Sequence, residues 1–168
     1  ALYFPAHTIL MISTLIYRPQ LFKLASLLET SIHNPANKKR FGVIVLAMFG
    51  AIAVITIGTA AFVEFIGIPL NGFLYGVDFE QYRGLARIMV ATGGLCAAID
   101  FLYQLITIMR VQKAVTRAYL ISFAVSIPII WMMVSFTGLN GAVIGSFSSI
   151  LILFLLLISE YAVARMKN

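Results

Sequence analysis

The stretch FGVIVLAMFGAIAVITIGTAAFV, residues 41–63, contains no charged side chain. As a helix rising about 1.5 Å per residue it is about 35 Å long, which exceeds the roughly 30 Å of bilayer hydrocarbon. Only helices and closed barrels satisfy their backbone groups in lipid, and an unbroken apolar run favours a helix over alternating strands. The stretch therefore predicts a transmembrane helix and an all-α membrane protein.

The composition of the whole chain agrees with this prediction. Hydrophobic residues make up 61% and charged residues 11% of the 168 residues. A soluble domain is nearer half apolar and a quarter charged. A soluble core of this size would leave much apolar surface in water. We therefore expect membrane lipids to surround most of the chain.

Four further apolar blocks predict additional spans in one polytopic helical bundle. The first block, residues 1–17, is about 25 Å long as a helix, which is shorter than the hydrocarbon core. We expect a span truncated at its outer end, within the C-terminal part of a longer protein. The TGLNG turn at residues 137–141 divides the last uncharged block in two. The five expected spans are residues 1–17, 41–63, 84–109, 118–136 and 142–160.

Basic residues predict the orientation of the bundle. Of the 12 Lys and Arg residues, ten fall in alternate connections or in the C-terminal tail. The positive-inside rule places these segments, and therefore the C-terminus, in the cytoplasm. The net charge of +6 thus reflects topology, and we expect no nucleic-acid partner. The ten residues are Arg18, Lys23, Lys38, Lys39, Arg40, Arg110, Lys113, Arg117, Arg165 and Lys167.

Two connections are expected to have structure of their own. Residues 20–33 place leucines on one helical stripe, which fits either an interfacial helix or a continuation of the first span. Pro19 favours a break. In the outer connection, Pro69 and Gly72 predict turns, and we expect a short interfacial helix near residues 78–82.

No pattern in the chain indicates covalent chemistry. No nucleophile is accompanied by a base, and no glycine-rich loop precedes a Lys-Ser/Thr pair. His7 and His33 lie far apart and lack a thiol or carboxylate at ligand spacing, so a metal site is not expected. Cys96 is the only cysteine, which excludes a disulfide within the chain. We therefore predict a protein that is not an enzyme and has no catalytic residue, metal or cofactor.

Asp100 is the most informative polar residue, because it lies inside the span at residues 84–109. A carboxylate facing lipid at the bilayer centre costs roughly 2.5–3.5 kcal/mol. Tyr103 and Gln104 share its helical stripe, so this face is expected to contact other helices or a wet cavity. Two interpretations remain open: a residue lining a transport cavity, and a structural acid that is hydrogen-bonded to a neighbouring helix.

Two further charges lie near the outer ends of the spans. Glu64, at the end of the second span, is a fourth candidate for the cavity, although its position favours a structural role. Arg87 precedes Asp100 by thirteen residues and is turned about 140° away from its stripe. We expect Arg87 to extend to the outer interface rather than pair with Asp100.

The last hairpin carries a packing pattern. Gly141, Gly145 and Ser149 repeat every four residues, which allows a second helix to approach closely. Pro128, in the preceding span, predicts a kink in that helix. Bends and close crossings occur in mobile and in static bundles alike.

Five segments, in this order, resemble the C-terminal half of bacterial polysaccharide-biosynthesis flippases, of the multidrug/oligosaccharidyl-lipid/polysaccharide exporter superfamily. The individual motifs are short, and the resemblance lies in their order, which covers nearly the whole chain. The segments are IYRPQLFKLA (16–25), NKKRFGVIV (37–45), GFLYGVDFEQY (72–82), LITIMRVQK (105–113) and FTGLNGAVIGS (136–146).

The resemblance implies a transporter of the bacterial inner membrane that moves a lipid-diphosphate-linked oligosaccharide to the outer leaflet for polysaccharide or O-antigen biosynthesis. It also implies that N-terminal helices of the same chain complete a two-bundle carrier. Arginines of the central cavity hold the diphosphate in that family, whereas no arginine of this chain lies clearly at the middle of a span.

Other functions remain open at this point. A small-molecule or drug exporter of the same superfamily would have the same helices. A non-catalytic membrane subunit of a polysaccharide assembly complex is a second alternative. A membrane glycosyltransferase or polymerase is a third, but it would need a longer outer loop with catalytic groups than residues 64–87 provide.

Overall fold

The computed structural model describes residues 4–31, 35–75 and 83–167, and nearly all of these residues are helical. No strand occurs among them. The chain forms a bundle in which consecutive long helices run in opposite directions. The elements are α1 (Phe4–Ser31), α2 (Pro35–Phe62), a π-helical turn (Val63–Gly67), α3 (Ile68–Tyr75), α4 (Arg83–Ile108), α5 (Gln112–Thr137) and α6 (Leu139–Lys167).

Four helices are long and apolar enough to cross a bilayer, which is consistent with a multi-pass membrane protein. They overlap the second to fifth predicted spans. Helix α1 is not among them, because His7, Arg18 and Pro19 interrupt its apolar residues. The predicted first span therefore stays a prediction. The four helical stretches are Ala36–Leu70, Arg83–Ile108, Gln112–Thr137 and Leu139–Met166.

Helix α1 continues through Pro19, so the expected break is wrong and the alternative of a continuous helix is confirmed. Proline removes one backbone donor and favours a bend. In this bundle α1 packs on both sides of that position, since Tyr17 and Leu24 are both buried in the same apolar cluster. Packing against α2 and α4 therefore outweighs the local effect of the proline.

The outer connection begins with a helix instead of the predicted turns. The helix of α2 passes through the π-helical turn into α3, which contains Pro69 and Gly72 and ends at Tyr75. Pro69 is the second residue of α3, and proline is tolerated in the first turn of a helix. The interfacial helix expected at residues 78–82 lies outside the described residues.

The turn between α5 and α6 is as tight as predicted. Gly138 alone separates the helices, with a φ of 58°, a conformation that glycine adopts without steric cost. A side chain at Gly141 would overlap the carbonyl of Met133, and one at Gly145 would meet Ile130 Cα at 3.3 Å. The predicted close approach of the two helices is confirmed. Pro128 lies inside α5, which continues on both sides of it.

Helix α4 lies at the centre of the bundle. Half of its 26 residues are buried, and it contributes to both apolar clusters, one shared with α1 and α2 and the other with α5 and α6. Two adjacent glycines make room for its neighbours. A Cβ at Gly93 would lie 2.5 Å from Ala6 Cα of α1, and one at Gly94 would meet Thr56 of α2.

We predict that Gly93→Val destabilises the bundle, because the new side chain would collide with the backbone of α1. Overpacking of this kind costs about 1–3 kcal/mol. The matched control is Gly58→Val in α2, where a Cβ meets nothing within 4 Å. The measurement is the unfolding free energy of the purified protein in detergent. Equal stability of the two variants would contradict the close contact between α1 and α4.

Candidate functional site

A groove of about 580 Å³ separates α1 from α5, with α4 and α6 as its floor. We call it the α1–α5 groove. Helix α1 lines one wall with His7, Leu10, Met11, Thr14, Leu15 and Arg18. The other helices contribute Cys96, Ile99, Asp100, Tyr119, Ile150 and Leu153.

The floor of the groove contains a hydrogen bond between two helices. The Tyr17 hydroxyl of α1 donates to Oδ2 of Asp100 in α4. Tyr17 is only 1% exposed, and its ring packs against Phe101 with centroids 5.3 Å apart. Thr14 Oγ1 lies 3.3 Å from the Tyr17 hydroxyl oxygen. A buried aromatic ring thus fixes the donor that holds the carboxylate.

Asp100 therefore has features of both sequence-based interpretations. It is hydrogen-bonded to a neighbouring helix, as a structural acid would be. It also lines the α1–α5 groove, as a cavity residue would. Because one oxygen faces α1 and the side chain is partly exposed, the carboxylate is held in place and remains reachable from the groove.

The polar groups of α1 form a line along the groove. His7, Thr14 and Arg18 are separated by seven and four residues, so they lie on one face of the helix. His7 and Arg18 are about 16 Å apart along the helix axis at 1.5 Å per residue. Between and opposite them stand apolar side chains, including Met11 and Leu153. The groove thus offers a polar track between apolar walls, an arrangement suited to an amphiphilic ligand.

The other predicted cavity residues of α4 lie outside this groove. Tyr103 and Gln104 follow Asp100 by about one turn, and neither lines the groove as the described residues form it. Tyr103 is 40% exposed. Neither residue therefore joins Asp100 in the groove lining, although the three side chains share one sector of the helix.

Glu64 lies at the other end of the bundle, in the π-helical turn. Arg87 donates to both of its carboxylate oxygens, with Nε at 3.0 Å and Nη2 at 2.6 Å. Arg83 Nη1 lies 3.4 Å from Glu64 Oε1. Arg87 thus has Glu64 as its partner, where the sequence analysis had expected it to extend to the interface. This bidentate pair joins the π-helical turn to α4 outside the groove, which favours the structural interpretation of Glu64.

The contributions of α1 and α5 to the groove were not predicted from the sequence. Tyr17 and Tyr119 were not singled out, and Arg18 was considered only as one of the basic residues that set the orientation. One signal was present: the spacing of His7, Thr14 and Arg18 places three polar groups on one helical face. Among the described residues, no group of three or more His, Cys, Asp or Glu side chains is arranged to hold a metal ion.

Comparison with protein-family models, curated proteins and solved structures gives no match to this chain.

We predict that Tyr17 and Asp100 are energetically coupled. A double-mutant cycle of Tyr17→Phe and Asp100→Asn should give a coupling of about 0.6–2 kcal/mol, the range for hydrogen bonds between membrane helices. The measurement is the unfolding free energy in mixed detergent. Tyr161→Phe in α6, combined with Asp100→Asn, is the control and should be additive. Additivity of the Tyr17 cycle would show that the hydrogen bond does not stabilise the bundle.

Proposed function

We propose that the chain is part of a flippase that moves a lipid-diphosphate-linked oligosaccharide from the inner to the outer leaflet of a bacterial inner membrane, for polysaccharide or O-antigen biosynthesis. The observation that carries this proposal is the α1–α5 groove, which combines a line of polar groups with apolar walls. A substrate with a charged head and a long hydrocarbon tail needs both. The order of the sequence motifs supports the same class of protein.

Arg18 supplies a cation beside the groove for the anionic head of such a substrate. Arginine binds phosphate oxygens through two parallel donors, which gives both attraction and orientation. No acidic side chain among the described residues forms an ion pair with Arg18. Its guanidinium therefore remains available to a phosphate. The hydrocarbon tail stays in the bilayer, and the sugar follows the polar track.

The transport step requires no covalent chemistry. Binding of the head in the groove replaces part of its hydration, so its passage through the hydrocarbon region costs less free energy. Alternating access requires a second group of helices that moves against this bundle. We infer that further helices of the same chain supply it. The protein is then a carrier and not an enzyme.

The proposal places the basic end of the bundle in the cytoplasm. This end contains the connections after α1 and α4 and the end of α6. Ten basic residues lie toward this end. The head group of the substrate enters there and leaves toward the end that holds Glu64 and Arg87.

We predict that membrane-impermeant thiol reagents applied outside intact cells label cysteine at Gly72 but not at Lys39 or Lys113. The native Cys96 is first replaced by alanine so that only the introduced cysteines react. After permeabilisation, Lys39→Cys and Lys113→Cys should label fully. The reverse pattern would invert the orientation and remove the proposed direction of transport.

A drug exporter of the same superfamily is the second candidate function. The Asp100 carboxylate favours it, because an acid between apolar walls attracts lipophilic cations. Efflux of a cationic amphiphilic dye by cells expressing the protein, without any defect in glycan export in the deletion strain, would support the exporter over the flippase.

We predict that Arg18→Gln slows flipping of a lipid-linked oligosaccharide by about tenfold in proteoliposomes, equivalent to about 1.4 kcal/mol, because the cation for the anionic head is lost. The full-length protein is used, and correct folding of each variant is checked by size-exclusion chromatography. Gln104→Ala is the matched control, since Gln104 is outside the groove lining. An unchanged rate in Arg18→Gln would exclude Arg18 from binding of the head group.

A further inference from the structure

A second cleft, of about 560 Å³, lies where the turn between α4 and α5 meets the last turns of α6. It shares no lining residue with the α1–α5 groove. We call it the Lys113 cleft. Its polar part is formed by Lys113, Arg117 and Glu160, and its apolar part includes Met109, Val111 and Val163.

The charges in this cleft do not cancel. Arg117 Nε donates to Glu160 Oε1 at 3.1 Å, and its Nη2 donates to the same oxygen. This pair joins α5 to α6 and neutralises both groups. Lys113 precedes Arg117 by one helical turn and is exposed. Because no acid of the described residues forms an ion pair with Lys113, the cleft retains one net positive charge.

The backbone also makes the electrostatic potential in the cleft more positive. Arg110, with a φ of 60°, turns the chain so that α5 starts directly at the cleft. The residue before α5, Val111, makes no side-chain hydrogen bond to the first turn. The amide groups at the start of α5 therefore contribute partial positive charge beside the Lys113 ammonium.

The position of the cleft determines which anion can use it. It lies at the ends of three membrane-spanning helices, where lipid headgroups are found. Leu120 follows Lys113 by seven residues, so it lies on the same face of α5, and its side chain is exposed. A free phosphate ion would use only the polar part, whereas a phospholipid would contact both parts.

We propose that the Lys113 cleft is a binding site for the phosphate headgroup of an anionic phospholipid. Lys113 contacts the phosphate, Arg117 offers its remaining donors, and one acyl chain lies along the apolar side of α5. The lipid thereby holds the turn between α4 and α5 against α6. This proposal is independent of the proposed flippase function, because it requires only a bilayer that contains anionic lipid.

The test is a titration of the full-length protein, purified in a neutral detergent, with phosphatidylglycerol, and the bound lipid is counted by native mass spectrometry. Lys113→Gln should weaken binding about fivefold, the effect of one cation near a lipid surface. Val163→Trp, which fills the cleft from its exposed side, should weaken it at least as much. Lys39→Gln is the control at the same end of the bundle and should leave binding unchanged.

Two further binding measurements identify the ligand. Phosphatidylcholine at the same concentrations should bind at least fivefold more weakly than phosphatidylglycerol. Inorganic phosphate in equal amounts should not displace the bound lipid. The proposal is overturned if Lys113→Gln and Lys39→Gln weaken binding equally, since the attraction would then be a general surface effect. It is also overturned if Val163→Trp binds like the natural protein, or if inorganic phosphate competes as well as the lipid.

Discussion

A carboxylate inside a membrane helix is the constraint on which the candidate site depends. Asp100 lies eight residues before the end of α4, about 12 Å from it at 1.5 Å per residue. Facing lipid there would cost roughly 2.5–3.5 kcal/mol. The carboxylate avoids this cost in two ways. It accepts a hydrogen bond from the Tyr17 hydroxyl on one side, and it faces the polar groups of the groove on the other. The position of α1 on α4 is thus linked to the need to satisfy one acid.

Close packing at small residues and one hydrogen bond hold α1 on α4, because lipid supplies no hydrophobic force between helices. Gly93 and Gly94 let α1 and α2 approach α4 closely. Helix α5 packs mainly on α6, and its buried residues belong to a different cluster from those of α1. The space between α1 and α5 is left open for this reason, and it becomes the groove.

Much of the fold could be predicted from the sequence, because the length of an uncharged run decides whether it can span a bilayer. The turn at Gly138 and the small-residue face of α6 could also be predicted, since glycines at these positions favour a tight turn and close helix packing. The continuity of α1 could not be predicted, because the burial of Leu24 in the bundle, a tertiary effect, outweighs the local effect of Pro19. The Tyr17–Asp100 contact joins residues 83 positions apart, and it depends on the rotation of two helices that no local pattern fixes.

The native Cys96 provides the most direct test of the central claim, which is that the groove beside Asp100 contains water. Cys96 lies one turn before Asp100 and lines the same groove. In proteoliposomes, a charged, membrane-impermeant methanethiosulfonate reagent should modify Cys96, and Thr14→Trp on the facing wall should slow the reaction at least tenfold. Modification by lipid-soluble maleimides alone, at a rate unaffected by Thr14→Trp, would show that the groove is closed to water and would contradict the account.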